Sequence, residues 1–420
     1  MGRPVKAPRR KVAVVTGSRA EYGRLRLLLK RMLREPALEL QLVVTGSHLS
    51  GGFGATLREI EADGLAIAAR VKMLLPDNSD YGVARSIGRG FEGFASCFRR
   101  LKPDILLVLG DRFELLPPCV TALVCRIPIA HIAGGETSQG AIDEAIRHGV
   151  TKMACLHFTS TEAYRRRVVQ LGERPERVFA VGDLGVDSFG EIELLSRDEL
   201  GRDLGFDLGE RCAVFTYHPV TLEADAGLGE LEAVLQAIAG SGIRVVFTKA
   251  NADAAGRLIN GRLAEFCARH GGRCLLVGNL GQKRYVSLLR AVDVMIGNSS
   301  SGIIEAASFK LPVVNVGDRQ KGRVAPANVI NAGGGVAALK RALAKALSAG
   351  FRASLADLKN PYAPARPGAA AGKILGVLKS ARLGEGVLKK EFFDLDFPLP
   401  AGGRGHGRTK GRRRRRVDGA

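Results

Sequence analysis

Short apolar runs alternate with amphipathic stretches along most of the chain. Lys11–Thr16 (KVAVVT), Leu40–Thr45, Asp104–Leu109 (DILLVL), Ile127–Ile132, Leu156–Thr161 and Val178–Val181 are such runs. Rich in Val, Ile and Leu and lacking polar alternation, they predict strands buried on both faces. Between them Leu25–Leu33 and Ser86–Phe98 carry helical spacing. Strand, glycine turn, helix, repeated, predicts a parallel doubly wound sheet. The pattern restarts after a polar connection at 191–209. There Cys212–Tyr217, Val245–Thr248, Cys274–Val277 and Val292–Ile296 read as strands, and Gly333–Ala349 as a helix. A last helix, Gly368–Leu383, is placed to cross back to the first half. The 420 residues suffice for two cores. The expected division is a basic tail at 1–10, domains at 11–190 and 191–375, and a C-terminal segment at 376–420.

In doubly wound sheets ligands bind beyond the carboxyl ends of the strands. The residues at those ends are therefore the candidates. Arg19 follows the first strand in Gly17-Ser18-Arg19, and His48 the second in Gly46-Ser47-His48. Asp111 and Arg112 follow Leu109-Gly110. Glu136 closes Ala133-Gly134-Gly135-Glu136, with Asp143 near a helix start and Arg147 one turn on. His218, before Pro219, is biased away from helix and toward the cleft. Each also has a plain structural reading: a solvated charge for Arg19, an N-cap for Asp111, an Asp143–Arg147 ion pair, a core histidine for His218. The richest stretch is 294–323, VMIGNSSSGIIEAASFKLPVVNVGDRQKGR. It predicts a strand, a loop of small residues (Asn298, Ser299, Ser300, Ser301, Gly302) and a helix. Unpaired N–H groups in a helix's first turn attract anions, and small residues allow close approach, so the loop suits a diphosphate. The same serines would equally cap the helix. Glu305 lies about one turn in, where it could accept from ribose hydroxyls. By contrast, the G-x-G-x-x-G at Gly88-Gly90-Gly93 precedes a strand, so it is read as close helix packing and not as a dinucleotide site.

GNSSSGIIEA with VVNVGDRQKGR, together with GSRAEYG, TGSH, GDR-x-E, HI-x-GGE, IDEAIRHGVTK and HPVT, resembles the hydrolysing UDP-N-acetylglucosamine 2-epimerase family from about Lys11 to Ile374. The resemblance implies two Rossmann-like domains facing a cleft, as in nucleotide-sugar glycosyltransferases of the GT-B type, with UDP held by the C-terminal domain. It implies conversion of UDP-N-acetylglucosamine and water to N-acetylmannosamine and UDP for sialic-acid-type sugars. The same mechanism on a UDP-2,4-diacetamido sugar, toward legionaminic acid, stands beside it. Asp111, Glu136, Asp143 and His218 become catalytic candidates. Arg19, His48, Arg112, Asn251, Ser299, Ser300, Ser301, Gly302, Glu305 and Arg323 become substrate contacts. One departure is Ala133, where the family often carries an acid; base and acid are then left to be shared among Asp111, Glu136 and Asp143. No cofactor and no metal is expected, and a homodimer or homotetramer is. A glycosyltransferase of the same architecture and a non-hydrolysing epimerase remain as alternatives.

Charge adds little to this. Of the formal +21, residues 1–11 hold five and residues 402–420 a net seven. The arginine-rich tail lacks apolar periodicity and is read as a disordered, solvated appendage and not a nucleic-acid arm. Seven cysteines without a C-x-x-C pair read as buried reduced thiols. The apolar region 115–132 is broken by Pro117, Pro118, Arg126 and Pro128, which argues against a membrane span and for a soluble cytoplasmic protein.

Overall fold

The computed structural model describes residues 9–396 except 51–54, 78, 140, 221–226, 251–253 and 334. Asn251 and the arginine-rich tail lie outside the described residues. Thirteen strands among the described residues form two wholly parallel sheets. The first contains β1 (Arg10–Thr16), β2 (Leu38–Val44), β3 (Ile67–Arg70), β4 (Ile105–Leu109), β5 (Ile129–Ile132), β6 (Leu156–Thr159) and β7 (Val178–Ala180), in the order 3-2-1-4-5-6-7. The second contains β8 (Cys212–Thr216), β9 (Arg244–Thr248), β10 (Cys274–Val277), β11 (Val294–Gly297), β12 (Val313–Val316) and β13 (Val329–Ala332), in the order 10-9-8-11-12-13. Each order reverses once, between β1 and β4 and between β8 and β11. These are two Rossmann-like domains in the arrangement of nucleotide-sugar glycosyltransferases.

The apolar runs work as expected. On β1, Val12 and Val14 join the core beneath helix Arg19–Arg34, while Ala13 and Val15 face helices Asp80–Leu101 and Leu116–Val124. With both faces covered, no polar alternation is possible. Strands β3, β12 and β13 carry no such signal. β3 and β13 are short edge strands, and β12 contains Asn315, whose amide is satisfied by Asn331 of β13 at 2.9 Å.

Helix Ala369–Ser380 belongs to the first domain. Ala370, Ala371, Ile374 and Leu378 are buried in its core, so the boundary expected at 375 falls inside this helix. Its first turn rests on the buried Asp187 carboxylate, which accepts from the N–H groups of Ala370 (3.2 Å) and Ala371 (2.8 Å). The chain thus leaves the first domain after Asp187 and returns to it.

The glycines at 88–93 lie inside helix Asp80–Leu101. A Cβ on Gly90 would meet Pro117 at 2.6 Å and one on Gly93 would meet Val71 at 2.6 Å, whereas Gly88 faces open space. Packing therefore accounts for two of the three. Of the cysteines, Cys97, Cys119, Cys155 and Cys212 are buried, Cys267 and Cys274 half-buried and Cys125 exposed. No helix among the described residues is long and apolar enough to cross a membrane.

Candidate active site between the domains

Four of the candidate residues mark the two points of strand-order reversal. On the first domain, Asp111 follows β4 and Arg19 opens the helix after β1. On the second, His218 follows β8 and Ser299 follows β11. The close approach of β11 to β8 depends on Gly297. Its φ is +130°, and a Cβ there would lie 2.0 Å from the Thr216 carbonyl oxygen.

Asp111 accepts from Ser138 Oγ at 3.2 Å and forms an ion pair with Arg147. Arg147 is buried and also donates to Ser138 (3.0 Å) and Glu144 (3.4 Å). Its partners are therefore Asp111 and Glu144, and not the Asp143 suggested by helical spacing. Glu136 is buried, accepts from Ser160 Oγ at 2.7 Å and takes Arg323 of the second domain at 3.2 Å. Arg323 also reaches Ser138, at 3.4 Å. This ion pair bridges the cleft. Asp143 is raised above the usual carboxylate range by burial, with Arg112 and Arg319 pulling the other way. Ala133, where an acid was looked for, is buried in the first domain's core and adopts φ +65°.

On the second domain the buried Asn298 is a hub. Its side chain accepts from the His218 N–H (2.7 Å) and donates to the His218 carbonyl (2.8 Å), while its own carbonyl accepts from Arg319 (3.1 Å) and Gln320 (2.8 Å). His218 is thereby fixed at the strand end. Burial and the Arg319 charge push it down to about 3. The helix after the serine loop is only Ser300–Ile304, followed by a 3₁₀ turn at Ala306–Phe309. Five residues build little macrodipole, so an anion there would rely on Ser299, Ser300, Gly302 and nearby arginines. Ser299 Oγ accepts from the Ser301 N–H at 3.3 Å, so the capping reading holds as well. Ser301 in turn accepts from Tyr285 at 2.5 Å. Glu305 is half-buried at the domain junction, close to Gly185, and the desolvation it suffers there raises it.

The remaining candidates are spread more widely. Arg112 lies beside Glu114 and near Asp143. Arg19 is exposed at the rim. His48 is buried behind the first turn on Thr16 (3.0 Å), where burial pushes it down to about 4. Among the described residues no cluster of three or more His, Cys, Asp or Glu is placed to hold a metal.

A family model described as UDP-N-acetylglucosamine 2-epimerase matches residues 30–379. The chain belongs to the UDP-N-acetylglucosamine 2-epimerase family. It is 39% identical over 324 residues to a GDP/UDP-N,N'-diacetylbacillosamine 2-epimerase (hydrolyzing) of Campylobacter jejuni, covering 77% of this chain and 84% of that one. It is 38% identical over 322 residues to a UDP-N,N'-diacetylbacillosamine 2-epimerase (hydrolyzing) of Legionella pneumophila, covering 77% and 85%. The fold is that of the UDP-GlcNAc 2-epimerase of Neisseria meningitidis, solved bound to UDP-GlcNAc, with a TM-score of 0.75, 16% identity, and coverage of 88% and 99%.

In this family member three further residues join the site: Asn298, Arg319 and Arg147, the last read from the sequence only as a partner of Asp143. Asn298 stood in the serine stretch without a role. Arg147 was visible in IDEAIRH, but its partner Asp111 is 36 residues away. Arg319 was visible in GDRQKGR, but its contact with Asn298 spans 21.

Proposed function

We propose that this epimerase family member hydrolyses a UDP-2-acetamido sugar, releasing UDP and the free 2-epimer. The observation that carries this is the Glu136–Arg323 bridge. It holds first-domain carboxylates against the arginines and serine loop of the second domain across a single cleft. The C2 hydrogen of such a sugar is a poor acid, and departure of UDP from C1 makes its removal feasible, giving a glycal. Water then adds at C1 while a proton returns to C2 on the opposite face. The reaction needs a proton acceptor, a proton donor and cations for the departing diphosphate. Asp111 and Glu136, each ion-paired, suit acceptance. Asp143, which burial favours in its protonated form, suits donation. Arg112, Arg319 and Arg323 supply positive charge, with Arg19 at the rim. His218 is neutral until an anion approaches, so its first role is a hydrogen bond to the diphosphate; an adjacent diphosphate would raise its proton affinity.

The names of the Campylobacter and Legionella relatives favour the 2,4-diacetamido sugar nucleotide over UDP-N-acetylglucosamine, reversing the order suggested by motifs alone. Both UDP-sugars are incubated with the enzyme in deuterated water and the products followed by NMR. Free 2-epimer carrying deuterium at C2, with UDP released, is the expected result, faster for the diacetamido sugar. Recovery of an epimerised UDP-sugar, or no release of UDP from either, overturns the reading.

A further inference from the structure

Beneath the turns that follow β1, β2 and β4, two buried carboxylates share one guanidinium. Glu114 is 1% exposed and Glu21 6%. Glu114 binds Arg112 with both oxygens, at 2.9, 3.1 and 3.3 Å. Glu21 Oε2 accepts from the Gly17 N–H at 2.7 Å. Its Oε1 is buried, 3.9 Å from Arg112 Nε, and has no hydrogen-bond partner. The cradle is tightly closed. A Cβ on Gly17 would lie 3.3 Å from Glu114 Cβ, and one on Gly46 (φ +57°) would lie 2.5 Å from the Gly17 carbonyl oxygen. The charged groups facing Glu21 are Glu114 and Arg112, both from the segment after β4. The turn after β2 contributes His48, which burial keeps neutral.

Arg112 therefore answers to Glu114, Glu21 and, on the cleft side, Asp143. A diphosphate arriving there adds further negative charge to a group of buried acids already in excess. Such an excess is relieved by protonating the acid with the weakest partners. We propose that Glu21 is a proton-linked positioning residue: binding of a nucleoside diphosphate at Arg112 brings one solvent proton onto its free Oε1, cancelling the surplus charge and leaving the guanidinium to the ligand. This rests on the reading that a diphosphate occupies this cleft. Burial, then the Glu114 charge, set Glu21 near the point where the linkage is felt at physiological pH, at about 7.

The test is binding of UDP to the full-length enzyme and to Glu21→Gln, at pH 6 and pH 8. Glutamine imitates the protonated acid and keeps an oxygen for Gly17. One pH unit above 7, the wild type gives up roughly tenfold in affinity to take up its proton, and glutamine does not. E21Q is expected to bind UDP roughly tenfold more tightly than wild type at pH 8 and about equally at pH 6. UDP itself is fully ionised at pH 8, since its terminal phosphate titrates near about 6. Calorimetry at pH 8 in two buffers of different ionisation enthalpy should count close to one more proton taken up per UDP by wild type than by E21Q. A wild-type to E21Q affinity ratio that does not change with pH, or no excess proton uptake by wild type, overturns the inference. If E21Q fails to fold, the wild-type count is compared with that of His218→Gln, and a count of close to one that survives in His218→Gln upholds the inference while its loss overturns it. Failure of wild type to bind UDP at either pH overturns the diphosphate reading with it.

Discussion

Tyr362 offers a direct way to ask whether closure between the domains matters for turnover. Its hydroxyl donates to the Val324 carbonyl (3.0 Å) and accepts from the Tyr164 hydroxyl (2.9 Å), which in turn accepts from the Val324 N–H (3.0 Å). All three bonds run in one direction round a ring, and both tyrosines are fully buried. The ring ties three segments together: Tyr164 of the first domain, Val324 beside Arg323 of the second, and the returning chain at Tyr362. Tyr362→Phe removes one oxygen and leaves the Val324 carbonyl and the Tyr164 O–H buried without partners. Each such group costs about 1–3 kcal/mol, so the junction loses about 2–6 kcal/mol. With about 1.4 kcal/mol per factor of ten, the smaller figure is roughly thirtyfold in the closing equilibrium. Steady-state release of UDP should show kcat/KM down by at least about tenfold, and urea denaturation should show reduced stability. A kcat/KM within about twofold of wild type, at unchanged stability, would mean that the ring neither holds the junction nor serves catalysis.

Glu136→Gln and Asp143→Asn should each lose about 10²–10⁴-fold in kcat, the usual contribution of a general acid or base, and still bind UDP in calorimetry. Full turnover in both would remove these carboxylates from the mechanism. Burial alone would raise Glu173, but hydrogen bonds from His157, Lys152 and Lys390 outweigh it and bring the group from 4.5 to about 2. That stabilisation, about 3 kcal/mol, is complete above the unfolded value and lost as pH falls from about 4.5 toward 2. Urea midpoints across that range should drop more steeply for wild type than for Glu173→Gln, in which the remaining lowered carboxylates such as Asp63 still titrate. Asp187→Ala strips the two N–H groups that open helix Ala369–Ser380 of their acceptor. It should cost about 1–3 kcal/mol in the same denaturation assay.

The parts of this architecture that could be read from sequence are those fixed by local rules. Strands such as KVAVVT are buried on both faces and so must be apolar throughout, and a turn of small residues must follow wherever a ligand meets the strand end. Asp111, Glu136 and His218 could be placed for that reason. What stayed hidden depends on the other domain or on distant chain. Nothing near Arg147 in sequence says that its carboxylate is Asp111 and not Asp143. Nothing in the serine stretch says that its helix stops after Ile304 or that Asn298 faces inward to His218. His48 sits at a strand end like the rest, yet its ring turns back onto Thr16, because the turns at Gly17 and Gly46 are pressed together in front of it.

Because the chain departs after Asp187 and comes home at Ala369, the two lobes are joined by a pair of tethers and not by one. Paired tethers restrain sliding and leave a swing about the line between them as the easy movement. They also mean that a single cut in the outgoing link near Leu195 should not set the lobes free: the nicked protein should still migrate as one particle, with its hinge axis relaxed.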